Sequence, residues 1–201
     1  AIEHLAPLTV GMDVERRSAI ADIRQREGKS GPLCIVTVTH EIKAATRTLL
    51  REKQELIFRA PGPAGKGSQP VSPGEVSIRA WQVPLTPILL FRFSAMTFNG
   101  HRIHYDHPYS VESEAYPGLV VHGPLQASLL LNQAAALLGK TPARFEYRCL
   151  APLIAGGTAE VRSWPEGEGA RGVILDPSGV ATCEARAVRR EEARAPETGS
   201  A

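Results

Sequence analysis

Cysteine is scarce in this sequence, and its placement argues against a disulfide framework or a zinc site. The three cysteines, Cys34, Cys149 and Cys183, are isolated and odd in number, and they lack the short spacing typical of metal ligands. This usage is typical of a reducing compartment. We therefore expect a cytoplasmic protein with no metal and no other cofactor.

An excess of charge and long apolar runs are also missing. The formal net charge of +2 over 201 residues, with scattered arginines, gives no electrostatic basis for nucleic-acid binding. No apolar run approaches the roughly 20 residues that span a bilayer, and the first residues do not resemble a signal peptide. We expect neither nucleic acid nor membrane as a partner, and 43% hydrophobic residues suffice for a globular core.

Two helices are predicted from capping signals and apolar content. Thr86 and Pro87 have the pattern of an N-cap followed by proline in the first turn, which predicts a short helix over 88–96. The segment from Pro124 to Leu138 is leucine- and alanine-rich, with Gly139 placed as its C-cap. Because it is apolar almost all round, we expect it to be buried.

An internal repeat surrounds these helices. The segment Leu5–Glu15 matches Leu150–Glu160 at six of eleven positions, with a constant offset of 145 residues. Alternating segments typical of antiparallel strands follow both copies, at 14–23, 33–42 and 49–58 after the first, and at 159–163, 172–175 and 181–188 after the second. A chance match in an Ala/Pro/Leu/Gly-rich chain would not explain this shared pattern, so we infer that one unit occurs twice.

The repeat and the composition together predict a domain organisation. We expect a partial N-terminal unit at 1–60, a Gly/Pro/Ser-rich linker at 61–78, a complete C-terminal unit at 79–190 and a disordered tail at 191–201. By the offset, the first counterpart of the long helix would precede residue 1. The second unit is predicted to be α+β, with antiparallel strands wrapped around one helix.

Histidines and glycines are concentrated between positions 101 and 122. Four of the six histidines lie there, namely His101, His104, His107 and His122, and glycine-containing turns adjoin them. Acid/base chemistry on a carbonyl compound requires such titratable groups beside free backbone N–H donors. This region is our candidate active site.

The segment from Phe91 to Leu131 resembles the MaoC-like or hydratase-2 family of hot-dog proteins, especially the branch that includes mesaconyl-CoA hydratases. The family's signature is a short helix, then Ser-Gly-Asp-x-Asn-Pro-Ile-His, and later His-Gly at the start of a long helix. The corresponding segments here are Thr97–His104 and Val121–Pro124, and the resemblance covers most of 84–190. It implies a hot-dog fold, and with the repeat it implies two hot-dog units in tandem.

The resemblance further implies reversible hydration of a short enoyl-CoA thioester. The family's catalytic histidine falls on His104, its aspartate on Asn99 and its asparagine on His101. His104 would activate water, and the N–H of Gly123 would bind the thioester oxygen at the positive end of the helix. Because an amide neither donates nor takes up a proton, the second acid/base role would pass from Asn99 to His101 or Asp106.

Other residues of the loop are candidates for substrate binding. Arg102 would pair with a substrate carboxylate or a CoA phosphate, or else with a carboxylate of its own protein. Tyr105 and Tyr116 are expected to line the site. His122 would either join them or tie the loop to the helix start by a side-chain hydrogen bond, and Asp106 also fits a turn or helix cap. Resemblance to enzymes of C4-dicarboxylic thioesters such as mesaconyl-CoA favours Arg102 as a carboxylate partner.

Two other functions remain open from the sequence. A hot-dog acyl-CoA thioesterase would attack the carbonyl instead of the double bond, and a non-catalytic acyl-CoA-binding subunit would fit the replacement of the aspartate by Asn99. In each case we expect a homo-oligomer or a pseudo-dimer of hot-dog units.

Overall fold

A computed structural model describes residues 1–28, 31–59 and 79–189. In this part of the chain, nine strands form one antiparallel sheet and two longer helices accompany it. The strands are β1 (Ile2–His4), β2 (Glu15–Gly28), β3 (Gly31–Ala44), β4 (Arg47–Arg59), β5 (Arg79–Pro84), β6 (Arg144–Cys149), β7 (Thr158–Glu166), β8 (Gly169–Leu175) and β9 (Ala181–Val188). The helices are α1 (Pro87–Thr97) and α2 (Gly123–Leu138).

The strand order shows the internal repeat directly. The sheet runs β2-β3-β4-β1-β6-β9-β8-β7-β5, so the order outward from β1 is matched by the order outward from β6. The backbone N–H groups of Leu5 and Ala6 both donate to the carbonyl of Leu49 in β4. At the matching positions, Leu150 and Ala151 both donate to the carbonyl of Thr182 in β9. The two copies of the repeated segment therefore occupy equivalent places in the sheet.

The six predicted strands are confirmed to within three residues at their starts, and those of the first unit extend further than predicted. The short strands β1, β5 and β6 were not predicted. Each has only three to six residues, and charged side chains interrupt its apolar positions. Such short mixed segments carry little periodic signal on their own.

Helix α2 provides the core of the second unit. Leu125, Leu130, Ala134 and Leu138 are buried against β6–β9, and the left-handed Gly139 (φ 73°) follows the last turn. Exposed residues recur every fourth position on the opposite side: Pro124, Ser128, Asn132 and Ala136. The predicted buried helix, with antiparallel strands wrapped around it, is confirmed.

The buried face of α2 is not uniformly apolar, which corrects the prediction from leucine and alanine content. Gln133 donates from Nε2 to the carbonyl of Val161 at 2.8 Å, and Gln126 Oε1 accepts from Thr182 Oγ1 at 2.9 Å. Both glutamines are almost inaccessible to solvent. Buried polar groups are tolerated when they are hydrogen-bonded, and these two bonds fix α2 to particular strands.

The sheet face that packs against α2 continues across β1 onto the first unit. Ile2 in β1 lies opposite Phe145 in β6, and alternation along β2–β4 places Ile20, Ile23 and Phe58 on this same face. These three side chains are 66%, 60% and 57% exposed, respectively. The apolar face is thus covered in the second unit and open in the described part of the first.

The predicted linker at 61–78 and the predicted tail at 191–201 lie outside the described residues. The boundaries of the two units also remain predictions. Among the described residues, neither helix has the length and apolarity needed to cross a bilayer. Helix α1 begins as predicted, because Thr86 Oγ1 accepts a hydrogen bond from the N–H of Leu89 and proline occupies the first turn.

Candidate active site

The segment between α1 and α2 brings three histidines into contact. It contains a 3₁₀ turn at Arg102–His104 and a π-helical turn at Tyr109–Ser113. The end of the segment is anchored by two backbone bonds, from Val120 N–H to the carbonyl of Ile103 and from Val121 N–H to the carbonyl of Leu153. These bonds hold the 3₁₀ turn beside the first residues of α2.

His104 is buried, with 7% of its surface exposed, and its tautomer follows from its hydrogen bond. Its Nδ1 lies 2.7 Å from the carbonyl oxygen of Val120. Because a carbonyl only accepts, Nδ1 carries the proton, and Nε2 of the neutral ring has a lone pair. Burial lowers the pKa of His104, repulsion from a charged His101 adds to this, and the bond to Val120 opposes it. His104 is therefore a neutral base.

His122 is completely buried and stacks on His104. The ring centroids are 3.7 Å apart with an interplanar angle of 20°, and the edge contact with Phe93 measures 4.9 Å between centroids. His122 Nε2 lies 2.7 Å from Ser94 Oγ, and Nδ1 has no hydrogen-bond partner among the described residues. Burial, followed by the proximity of His104 and His101, lowers the pKa of His122 to about 4.

The interpretation of His122 as a side-chain cap of the helix is wrong. It is the residue that precedes α2, but its side chain makes no capping hydrogen bond. The ring turns instead toward α1, where Ser94 is its partner. Ser94 was missed in the sequence, although a serine among the apolar residues of a short helix is the kind of signal that marks a buried polar contact.

His101 extends the row of rings to the surface. Its ring centroid lies 5.4 Å from that of His104, edge to face at 81°. The side-chain oxygen of Asn99 accepts the backbone N–H of His101 at 3.0 Å, and the N–H of Asn99 donates to the carbonyl of Ser94. Asn99 thus closes a local turn of the kind that asparagine favours. The row runs from exposed His101 through His104 to buried His122.

Arg102 and Asp106 form an ion pair on the surface of the loop. Nε and Nη2 of Arg102 donate to Asp106 Oδ2 at 3.0 and 2.8 Å, and the guanidinium lies 4.1 Å from the ring centroid of Tyr109. Asp106 Oδ1 also accepts the backbone N–H of Tyr109. The hydrogen bonds from Arg102 are the main reason why the pKa of Asp106 is lowered. The pairing of Arg102 with its own protein and the capping role of Asp106 are both confirmed.

The two tyrosines contribute to the same loop. Tyr105 donates its hydroxyl proton to the carbonyl of Gly100 at 2.8 Å and is 41% exposed. Tyr116 is half-buried, and its backbone N–H donates to the carbonyl of Ser110. Their roles in lining a substrate site stay predictions.

Gly123 opens the 16-residue helix α2 directly after His122. A Cβ at this position would lie 3.0 Å from the sulfur of Cys149, so glycine allows the close packing of β6 on the helix start. Pro124 has no N–H, so Gly123 and Leu125 supply the first-turn N–H groups that lack an intrahelical acceptor at the positive end of the helix. In the described ranges, no group of three or more His, Cys, Asp or Glu side chains is placed to hold a metal ion.

Sequence comparison identifies the family. The family model of hydroxyacyl-thioester dehydratase type 2 matches residues 1–155. The chain belongs to this family. A mesaconyl-C(4)-CoA hydratase of Chloroflexus aurantiacus is 42% identical over 164 residues, covering 81% of this chain and 58% of that protein. The mitochondrial hydroxyacyl-thioester dehydratase type 2 of Schizosaccharomyces pombe is 41% identical over 76 residues, covering 36% of this chain and 25% of that protein.

The chain thus spans little more than half the length of the Chloroflexus hydratase and a quarter of the yeast dehydratase. Solved structures agree on the fold of this family member. HtdX of Mycobacterium tuberculosis has a TM-score of 0.71 at 18% identity, covering 94% of this chain and 74% of its own. A MaoC-like dehydratase of Phytophthora capsici has a TM-score of 0.72 at 13% identity, covering 96% of this chain and 70% of its own. The predicted α+β hot-dog fold and the MaoC-like resemblance are confirmed.

Proposed function

We propose that this protein reversibly hydrates the double bond of a short enoyl-CoA thioester, as a hydro-lyase without a cofactor. The observation that carries the proposal is the state of His104: a buried, neutral imidazole whose Nδ1–H is held by Val120, which leaves Nε2 as a base. Membership of the dehydratase family and the likeness to a mesaconyl-C(4)-CoA hydratase support this assignment.

In the hydration direction, His104 Nε2 takes a proton from water as the water oxygen bonds to the β-carbon of the enoyl group. The electron pair of the double bond moves toward the thioester, and the oxygen that gains charge accepts a hydrogen bond from Gly123 N–H. His101 gives a proton to the α-carbon, which completes the addition of water. Dehydration is the same sequence in reverse.

The remaining loop residues act on these groups or on the substrate. Asn99 holds His101 through its turn, and His122 supports the ring of His104 by stacking. Tyr105 and Tyr116 would form walls of the acyl site. Asp106 is the weaker candidate for the second proton, because both of its oxygens already accept hydrogen bonds.

The acyl group is proposed to be a short one with a second carboxylate, as in mesaconyl-CoA. The 42% identity to a mesaconyl-C(4)-CoA hydratase favours this class. Arg102 is the candidate partner of the carboxylate, but a substrate would have to share or displace Asp106 on the guanidinium. Substitution of Arg102 therefore tests whether the substrate carries a second carboxylate.

The experiment uses mesaconyl-, itaconyl-, crotonyl- and longer enoyl-CoA thioesters with the wild type and Arg102→Ala. Loss of the enoyl-thioester absorbance reports hydration, and a thiol reagent reports release of CoA. We expect fastest hydration of a C4-dicarboxylic thioester and a raised KM for it alone in Arg102→Ala. Preference for crotonyl-CoA that is insensitive to the substitution would refute the dicarboxylate class.

The same assay distinguishes the two alternative functions. Release of free thiol without hydration would indicate a thioesterase, and tight binding without turnover would indicate an acyl-CoA-binding subunit. The acyl-CoA-binding alternative is kept because Asn99 occupies the position of the family's aspartate. Its side chain closes a turn with the N–H of His101 and cannot act as an acid. A cytoplasmic location and a homo-oligomer or pseudo-dimer of hot-dog units belong to the same proposal.

A further inference from the structure

Two of the three cysteines lie opposite each other on neighbouring strands. Cys149 ends β6 and Cys183 lies in β9, and the two are direct partners in the antiparallel register. Both side chains lie on the inner face of the sheet, in phase with Phe145 and Ala187. They are 34 positions apart in the sequence, and only the pairing of these strands brings them together.

The hydrogen-bond pattern identifies the type of pair. The N–H of Leu150 donates to the carbonyl of Thr182 at 2.8 Å, which joins the residue after Cys149 to the residue before Cys183. Cys149 and Cys183 therefore form a non-hydrogen-bonded pair, in which Cα atoms are about 4.5 Å apart. This separation lies at the short end of the roughly 4.4–6.8 Å range that disulfides span.

The two thiols differ in access and acidity. Cys149 is exposed, whereas Cys183 is completely buried. Interaction with the neighbouring Cys183 lowers the pKa of Cys149, whereas the same interaction and burial raise that of Cys183. An accessible thiol with increased thiolate character beside a protected thiol is the arrangement of an oxidisable cysteine with a resolving cysteine.

We propose that Cys149 and Cys183 form a reversible thiol-disulfide site whose oxidant is a peroxide. The Cys149 thiolate attacks one oxygen of the peroxide, which gives a sulfenic acid and releases hydroxide or alkoxide. The Cys183 sulfur then attacks the Cys149 sulfur, the S–O bond breaks, and water leaves with the thiol proton. The two thiols are oxidised together, one peroxide is reduced, and a dithiol restores the starting state.

The site adjoins the start of α2. The Cys149 sulfur packs against the α-carbon of Gly123, close enough that a Cβ there would lie 3.0 Å away. A disulfide draws the two sulfurs to about 2.05 Å and moves the Cys149 sulfur toward Cys183. This removes packing from beneath Gly123, so we expect slower hydration in the oxidised protein. This consequence, unlike the disulfide itself, rests on the proposed function.

The test treats the full chain with hydrogen peroxide under non-reducing conditions and follows its mass and activity. We expect a decrease of about 2 Da, for the loss of two hydrogen atoms, with one cross-linked peptide pair that contains Cys149 and Cys183. Cys149→Ser should abolish the cross-link, whereas Cys34→Ser, the matched control in β3, should retain it. Dithiothreitol should restore both mass and activity in the wild type.

The mass measurement stands apart from any enzymatic activity. A sulfinic acid on Cys149 with Cys183 still reduced, or a cross-link that involves Cys34, would overturn the proposed site. If the cross-link forms but the rate of hydration is unchanged, the inferred effect of the disulfide on Gly123 is wrong. Cys183→Ala provides a second check, because it should convert reversible oxidation of Cys149 into overoxidation that dithiothreitol does not reverse.

Discussion

The burial of His122 predicts a specific loss of stability in acid. The unfolded chain protonates this histidine at its ordinary pKa of 6.5, whereas the folded protein keeps it neutral down to about pH 4. Between these values the unfolded state binds more protons, so the free energy of unfolding falls as the pH is lowered from 6.5 to 4. A difference of roughly 2.5 units corresponds to about 3 kcal/mol at the acid end of this window. The lowered pKa of His104 acts in the same direction.

The assay is urea unfolding at pH 7, 6 and 5, with the free energy extrapolated to water. His122→Asn should weaken the pH dependence over this range, while His107→Asn, which alters an exposed histidine of the same loop, should retain it. If His122→Asn does not fold, an NMR titration of the wild-type His122 ring gives the same information. A ring that titrates near 6.5, or a variant with the wild-type pH dependence, would refute the reasoning.

Three further outcomes follow from the packing of α2 and the state of His104. Leu130→Ala should lower the free energy of unfolding by about 2–5 kcal/mol because it leaves a cavity beneath a buried side chain, whereas Ser128→Ala on the exposed side should change it little in the same urea assay. Gly123→Ala should reduce the rate of hydration by forcing the Cys149 sulfur aside, and the added change Cys149→Ala should recover part of that rate if steric contact is the cause. The pH profile of kcat/KM for hydration should fall on the acid side below pH 6.5, where His104 gains a proton; a decline that begins at higher pH would contradict the lowered pKa.

Much of the fold was predictable because its signals are local and repeated. The long strands show alternation over many residues, and α2 has a continuous leucine-rich stretch that ends at Gly139. The repeat at Leu5–Glu15 and Leu150–Glu160 anticipated the matched strand order. The short strands β1 and β6, which join the two units at the centre of the sheet, escaped prediction because their stability comes from pairing with neighbours.

The candidate site was predictable in its location but not in its contacts. The resemblance directed attention to His104 and Gly123, and the structure stacks His104 on His122, the residue before Gly123. The stacking of His122 on His104 and the bond to Ser94 depend on how α1 packs against α2. Ser94 and His122 are 28 residues apart in the sequence, and no motif spacing predicts that their side chains meet.

The most direct test of the central claim is the rate of enoyl-CoA hydration by His104→Ala. One positioned acid/base group typically contributes 10²–10⁴-fold, so we expect kcat to fall by about 10² or more. His107→Ala serves as the matched control and should retain the wild-type rate, and thermal unfolding should show that both variants are folded. Wild-type turnover in a folded His104→Ala protein would contradict the account, because the neutral Nε2 of His104 would then have no part in activating water.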